Sequence, residues 1–175
     1  MELESGTLLI WAALGVAAFC AGVVDAVIGG GGMVQLPALF AFLPGVAPPP
    51  LLGTNKFASA IGTTGAAIQY ARSTDTPWRV VVPCMMVAFA AALAGAYAVT
   101  LIPAEPLKKS IPFILAALLV YTWASGAGKQ HAPTRSPAKA AAIASSGSGV
   151  IGFYDGFLGA GTGAFYKMLF VRGLG

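Results

Sequence analysis

The 175-residue chain is 57% hydrophobic and only 9% charged, where a soluble domain carries roughly 25% charged residues. That deficit excludes an ordinary soluble globular domain and points to an all-α, polytopic helical membrane protein, since apolar stretches near bilayer length recur along the chain. The net charge of +4 does not signal nucleic acid, because the basic residues lie in short gaps between apolar spans, where they set topology.

The first apolar segment runs from about Thr7 to Ile28. Its acidic start, "MELES", differs from the basic start of a secretory signal. Phe19, before Cys20, is too large for a lipoprotein cleavage site, so the segment reads as a retained transmembrane helix. Glycines 29 to 32 break it. "MVQLPALFAFL", residues 33–43, is too short to cross as a helix and fits a re-entrant piece. "PGVAPPP" reads as a turn. A second span is expected from about Gly53 to Ala71, a third from Val80 to Leu101 after "RSTDTPWR", and a fourth from Ser110 to Trp123 after the turn "PAEPLKK". Trp78, Tyr121 and Trp123 sit where interfacial aromatics are expected. The stretch 125–139 is polar and reads as a loop, and its His131 reads as solvated. A fifth span follows from about Ala140 to Leu158, and a last apolar piece starts at Ala164. Cys20 and Cys84 fall inside apolar spans and read as small apolar residues. Neither a disulfide framework, a metal site nor a cofactor is expected.

Arg72 and Arg79 flank one loop, and Lys129, Arg135 and Lys139 lie in another two spans on. The intervening loop, on the opposite face, holds Lys108 and Lys109. The bias places the first two loops in the cytoplasm. The side of the N-terminus stays open, because it depends on whether residues 33–43 cross or return.

"GVVDAVIGGGGMVQ" (22–35) and "GFYDGFLGAGTGAF" (152–165) align with a constant offset of 130 residues. Gly22 meets Gly152, Asp25 meets Asp155, Gly29 meets Gly159 and Gly31 meets Gly161. Two glycine-interrupted apolar segments in corresponding halves point to a secondary transporter and to its binding site. Backbone freed from a helix cannot face lipid, glycine lets it approach a ligand, and free N–H groups at a half-helix start favour an anion. Two repeats follow: residues 1–130 form the first, and 131–175 begin the second. If residues 33–43 return to their own side, the repeats are inverted.

Asp25, Lys56, Asp155 and Lys167 are charges inside apolar stretches, each costing at least about 2.5 kcal/mol at a helix centre and therefore a functional-site hypothesis. Lys56 reads as an anion attractor, with Asn55 and Thr54 adding hydrogen-bonding groups. Gly30, Gly31, Gly32, Gly161 and Thr162 supply exposed backbone for the same ligand. Asp25 and Asp155 stand between two roles: proton carriers for coupling, or structural charges that cap broken helices or pair with the lysines. Lys167 reads as snorkelling to an interface. A membrane-embedded enzyme is disfavoured, since no nucleophile–base arrangement appears.

"AGVVDAVIGGGGMVQLPAL", "LLGTNKFASAIGTTGAAIQY" and "GFYDGFLGAGTGAF" together resemble the TauE/SafE (TSUP) sulfite and sulfonate exporter family over nearly the whole chain. The resemblance implies a multi-pass carrier in the bacterial inner membrane for small organosulfur anions, its partners being that substrate and the lipid bilayer. A homo-oligomer is compatible with it. The positions carried over are Asp25, Gly29 to Gly32, Gly53, Thr54, Asn55 and Lys56, then Asp155, Gly159, Gly161, Thr162 and Gly163. The second counterpart of "GTNK" would fall beyond Gly175, so the chain is expected to be a fragment with a truncated second repeat. The alternative function is a non-transporting membrane scaffold or partner subunit.

Overall fold

The computed structural model describes residues 2–124 and 137–169. The loop readings on Lys129, His131 and Arg135, and the end of the last apolar piece, lie outside the described residues, as do the side chains of Trp123 and Lys139. The described residues form seven helices and no strand: α1 (Glu2–Ile28), α2 (Gly32–Phe42), α3 (Pro48–Ser73), α4 (Trp78–Thr100), α5 (Ala104–Ala124), α6 (Pro137–Phe157) and α7 (Thr162–Met168).

Two of them, over Gly6–Val27 and Trp78–Thr100, are long and apolar enough to cross a bilayer by length and composition. Their apolar windows are only 6% and 11% buried. An apolar helix with so little protein cover needs an apolar solvent around it, and Leu8, Trp11, Phe19, Met86, Phe89 and Leu93 stand on those outer surfaces. This is the build of a helical membrane protein. α2 is also apolar but has only 11 residues, about 16 Å of helix against a hydrocarbon core of about 30 Å.

Several boundaries differ from the sequence expectation. α3 begins at Pro48, because Pro48, Pro49 and Pro50 form its first turn after an extended Ala47. Proline is tolerated there, since first-turn N–H groups have no intrahelical partner. The turn before α3 is therefore shorter than "PGVAPPP". α5 likewise begins at Ala104, so Lys108 and Lys109 are helical. The Lys108 ammonium donates to the Pro44 carbonyl at 2.6 Å, tying α5 to the α2–α3 turn.

The core lies where α2, α3 and α5 meet. Leu36, Leu39, Leu51, Leu52, Leu107, Ile111 and Leu115 are buried there, joined by Leu158 and Ala160 from the α6–α7 junction. α4 packs along α6 through small residues. A Cβ on Gly152 would lie 2.5 Å from the Ala88 carbonyl oxygen; one on Gly156 would overlap the Ala92 carbonyl, and one on Gly95 the Phe153 carbonyl. The two backbones touch directly, the way membrane helices associate when side chains are small.

Candidate binding site at two broken helices

α1 ends because Gly29 adopts a left-handed conformation, φ +77°, which costs glycine nothing sterically. Its N–H donates to the Asp25 carbonyl at 2.9 Å, as in a glycine-terminated helix. The chain then folds back, so that a Cβ on Gly31 would sit 2.7 Å from the Ala21 carbonyl oxygen. The Asp25 carboxylate accepts the Gly31 N–H at 2.9 Å. It spans the break and satisfies a donor at the start of α2, where free N–H groups favour negative charge.

α6 ends in a related way. Gly159 has φ +74° and its N–H donates to the Tyr154 carbonyl at 3.3 Å. Asp155 also reaches across its break, accepting the Thr162 hydroxyl at 2.6 Å. The two breaks differ at one point: Gly161 is left-handed, φ +71°, whereas Gly31 is right-handed, φ −54°. Tyr154, not singled out from the sequence, donates its hydroxyl to the Ala160 carbonyl at 2.7 Å. Its one sequence signal is adjacency to Asp155.

The breaks pack against each other. A Cβ on Gly29 would lie 2.9 Å from the Gly163 Cα, and one on Gly32 would lie 3.2 Å from both the Ala160 Cα and the Gly159 carbonyl oxygen. Met33, also missed from sequence, lays its terminal methyl on Gly161.

α3 brings two polar side chains to this junction. Asn55 is 0% exposed, and neither its amide nitrogen nor its amide oxygen has a hydrogen-bond partner. Its Nδ2 would lie 3.3 Å from a Cβ on Gly32. Lys56, the next residue, forms an ion pair with Asp155, Nζ to Oδ1 2.5 Å, with the two side chains 29% and 35% exposed. Its ammonium lies against Gly159.

The structure thus gathers Asn55, Lys56, Asp155, Thr162, Gly32 and Gly161 around the breaks. Asp25, Gly30 and Gly31 lie at the first break, Gly30 and Gly31 buried. Lys56 pairs with Asp155 of α6, not with Asp25. Thr54 does not join the cluster: it is exposed, and its hydroxyl donates to the Pro50 carbonyl at 2.9 Å. Gly53 has open space where a Cβ would stand, and Lys167 is exposed.

Chemically, an ammonium, an unpartnered amide and left-handed glycine backbone suit recognition of an oxyanion. Among the described residues no group of three or more His, Cys, Asp and Glu could hold a metal ion. Cys84 lies 3.7 Å from the Ser145 hydroxyl, and Cys20 is exposed on α1. A separate cavity of about 450 Å³ between α2 and α5 is lined by Met33, Phe40, Ile111, Leu115 and Leu119, with Lys108 its one charged wall. That ammonium is engaged by Pro44, so the cavity is apolar in character.

Residues 14–175 match the family model described as "Sulfite exporter TauE/SafE". The chain is 36% identical over 159 residues to the probable membrane transporter protein ORF9 of Sinorhizobium sp, covering 89% of this chain and 59% of that protein. It is 30% identical over 155 residues to the probable membrane transporter protein YfcA of Escherichia coli strain K12, covering 88% and 56%. A probable membrane transporter protein of Haemophilus influenzae is 30% identical over 158 residues, covering 90% and 60%. The chain therefore spans 56% to 60% of the length of these relatives. No solved structure matches it. With the family model running through both helix breaks to the last residue, the chain belongs to the TauE/SafE family.

Proposed function

We propose that this chain forms the substrate-handling part of a secondary transporter that moves small anions, such as sulfite, sulfonates or related organosulfur compounds, across the bacterial inner membrane as a multi-pass protein. The observation that carries the reading is Asn55. A wholly buried amide with no partner costs about 1–3 kcal/mol, and such a group calls for a functional explanation. It lies against Gly32 of the first break, while the Lys56 ammonium, from the next residue, lies against Gly159 of the second, an arrangement that suits the holding of a substrate anion by half-helix ends and freed backbone. In this reading residues 1–130 and 131–175 belong to two repeats that meet at the breaks. The names of the relatives supply transport, and the family description supplies the sulfur oxyanion.

Flux of radiolabelled sulfite and of taurine into proteoliposomes tests the proposal. Lys56→Gln and Asn55→Ala should each lower initial flux by at least about tenfold, or about 1.4 kcal/mol of binding, with membrane insertion unchanged. Unchanged flux in both variants overturns the assignment. The Lys56–Asp155 pair also favours a second reading, a non-transporting scaffold in which the pair serves folding alone. Loss of inserted protein in Lys56→Gln, with no flux in the parent, supports that one.

A further inference from the structure

We propose that Asp155 is an internal competitor of the transported anion: its carboxylate holds the Lys56 ammonium, and the anion binds by taking the place of that carboxylate on Lys56. The proposal rests on the reading of Asn55 and Lys56 as an anion site and adds how the site is loaded and which charge it accepts.

Four observations carry it. The Lys56 ammonium is already on an oxyanion, Asp155 Oδ1 at 2.5 Å. An ammonium is a compact point charge with rotatable donors, so it takes any oxyanion oxygen in turn. The pair is 29% and 35% exposed, so other protein groups do not seal it off. The carboxylate has a second partner, the Thr162 hydroxyl at 2.6 Å on the same oxygen, so it keeps a hydrogen bond once Lys56 leaves. Finally, the wholly buried Asn55 amide is left unused by Asp155. Asn55 and Lys56 reach adjoining glycines: a Cβ on Gly32 would lie 3.3 Å from Asn55 Nδ2 and 3.2 Å from the Gly159 carbonyl oxygen, and the Lys56 ammonium lies against Gly159 itself. A ligand that reaches both groups satisfies an amide that Asp155 does not.

Two consequences follow. Asp155 stays in the site after the exchange, so Lys56, Asp155 and a monoanion together carry −1 where a dianion would bring −2; the site therefore prefers a monoanion with several acceptor oxygens, such as an alkylsulfonate. A dianion such as sulfate would place a second uncompensated negative charge beside Asp155, where like charges repel. The ion pair also links α3 to α6, so occupancy by an anion releases that link. A ligand that binds one arrangement better shifts the population toward it.

Calorimetry on the protein in lipid nanodiscs, with methanesulfonate and sulfate as probes, tests this. If Lys56 is held by Asp155 in roughly nine molecules of ten, freeing it tightens apparent binding by about tenfold. Asp155→Asn keeps the shape and the Thr162 contact, and should bind methanesulfonate about tenfold tighter than the parent. The preference over sulfate should narrow, and Lys56→Gln should not bind. Removing a negative charge alone would also help an anion, so a second readout separates exchange from simple attraction. Addition of methanesulfonate should produce an infrared difference band of a carboxylate changing partner, shifted in Asp155→Glu and lost in Asp155→Asn. Parent binding with Asp155→Asn equal or weaker, or with no carboxylate band in the parent and Asp155→Glu, overturns the competitor role and leaves the anion site standing. No binding of either probe by parent or Asp155→Asn overturns both.

Discussion

Gly29 and Gly163 touch backbone to backbone: a Cβ on Gly29 would lie 2.9 Å from the Gly163 Cα, and one on Gly163 2.7 Å from the Gly29 Cα. Each belongs to a different helix break, so the contact holds the two broken segments together. Gly29 is also left-handed, φ +77°, so a side chain there is strained as well as crowded. Gly29→Ala should lower stability by about 2–4 kcal/mol, strain and overpacking together, and Gly163→Ala by about 1–3 kcal/mol from overpacking alone. Thermal unfolding in detergent checks the order. Equal melting of both variants and the parent would show that the breaks are not in contact.

Close backbone contact along α4 and α6 predicts a second set of effects. Gly156→Ala places a methyl on the Ala92 carbonyl, and Gly95→Ala places one on the Phe153 carbonyl. Each should destabilise by about 1–3 kcal/mol. Gly65→Ala, where a Cβ meets open space in mid-helix, should be neutral or stabilising by up to about 1 kcal/mol through helix propensity. Reversal of that order in a denaturant titration would contradict the packing.

Asn55 should show stability and function pulling apart. Asn55→Leu removes a buried amide with no partner and puts an apolar group of similar size beside Leu51 and Leu52, both buried. The melting temperature should rise, corresponding to about 1 kcal/mol or more of recovered desolvation, while sulfite flux falls to background. A variant that melts earlier and still carries sulfite would mean that the amide is structural.

Tyr154 pins the second break through its hydroxyl on the Ala160 carbonyl at 2.7 Å, while its ring packs edge-on against Phe165. Tyr154→Phe keeps the ring and loses the bond, so it should cost about 1–2 kcal/mol. Amide exchange at the break should quicken relative to mid-α6. Unchanged exchange there would remove the hydroxyl from the account of the break.

Thr54 is the control for the site. It is exposed and its hydroxyl is spent on Pro50, so Thr54→Val should change sulfite flux by no more than about twofold, the size of an ordinary surface substitution. A tenfold loss would place Thr54 in the binding machinery after all.

The two long apolar helices, the two glycine breaks and the charges within apolar stretches are legible in the chain, because each is a property of a short stretch; among the described residues, the other spans expected from the sequence are not helices long and apolar enough to cross a bilayer. Hydropathy marks a helix that needs lipid around it, and glycine runs mark backbone that leaves the helix. The family likeness rests on the same local motifs. Element starts were less legible: the prolines at 48–50 read as a turn but open α3, since a first helical turn requires no N–H donor there.

What only the tertiary structure decided is which groups meet. Thr54, Asn55 and Lys56 are consecutive, and a helix turns about 100° per residue, so their neighbours differ entirely: solvent or lipid for Thr54, the core for Asn55, Asp155 for Lys56. Nothing local tells Lys56 to choose Asp155 over the nearer-numbered Asp25, because the choice follows from the packing of one break on the other. Asp25 instead closes its own break on Gly31. Composition and pattern determine that this chain lives among apolar surroundings with broken helices; the three-dimensional arrangement alone sets an unpartnered amide beside Gly32 of one break and a held ammonium beside Gly159 of the other.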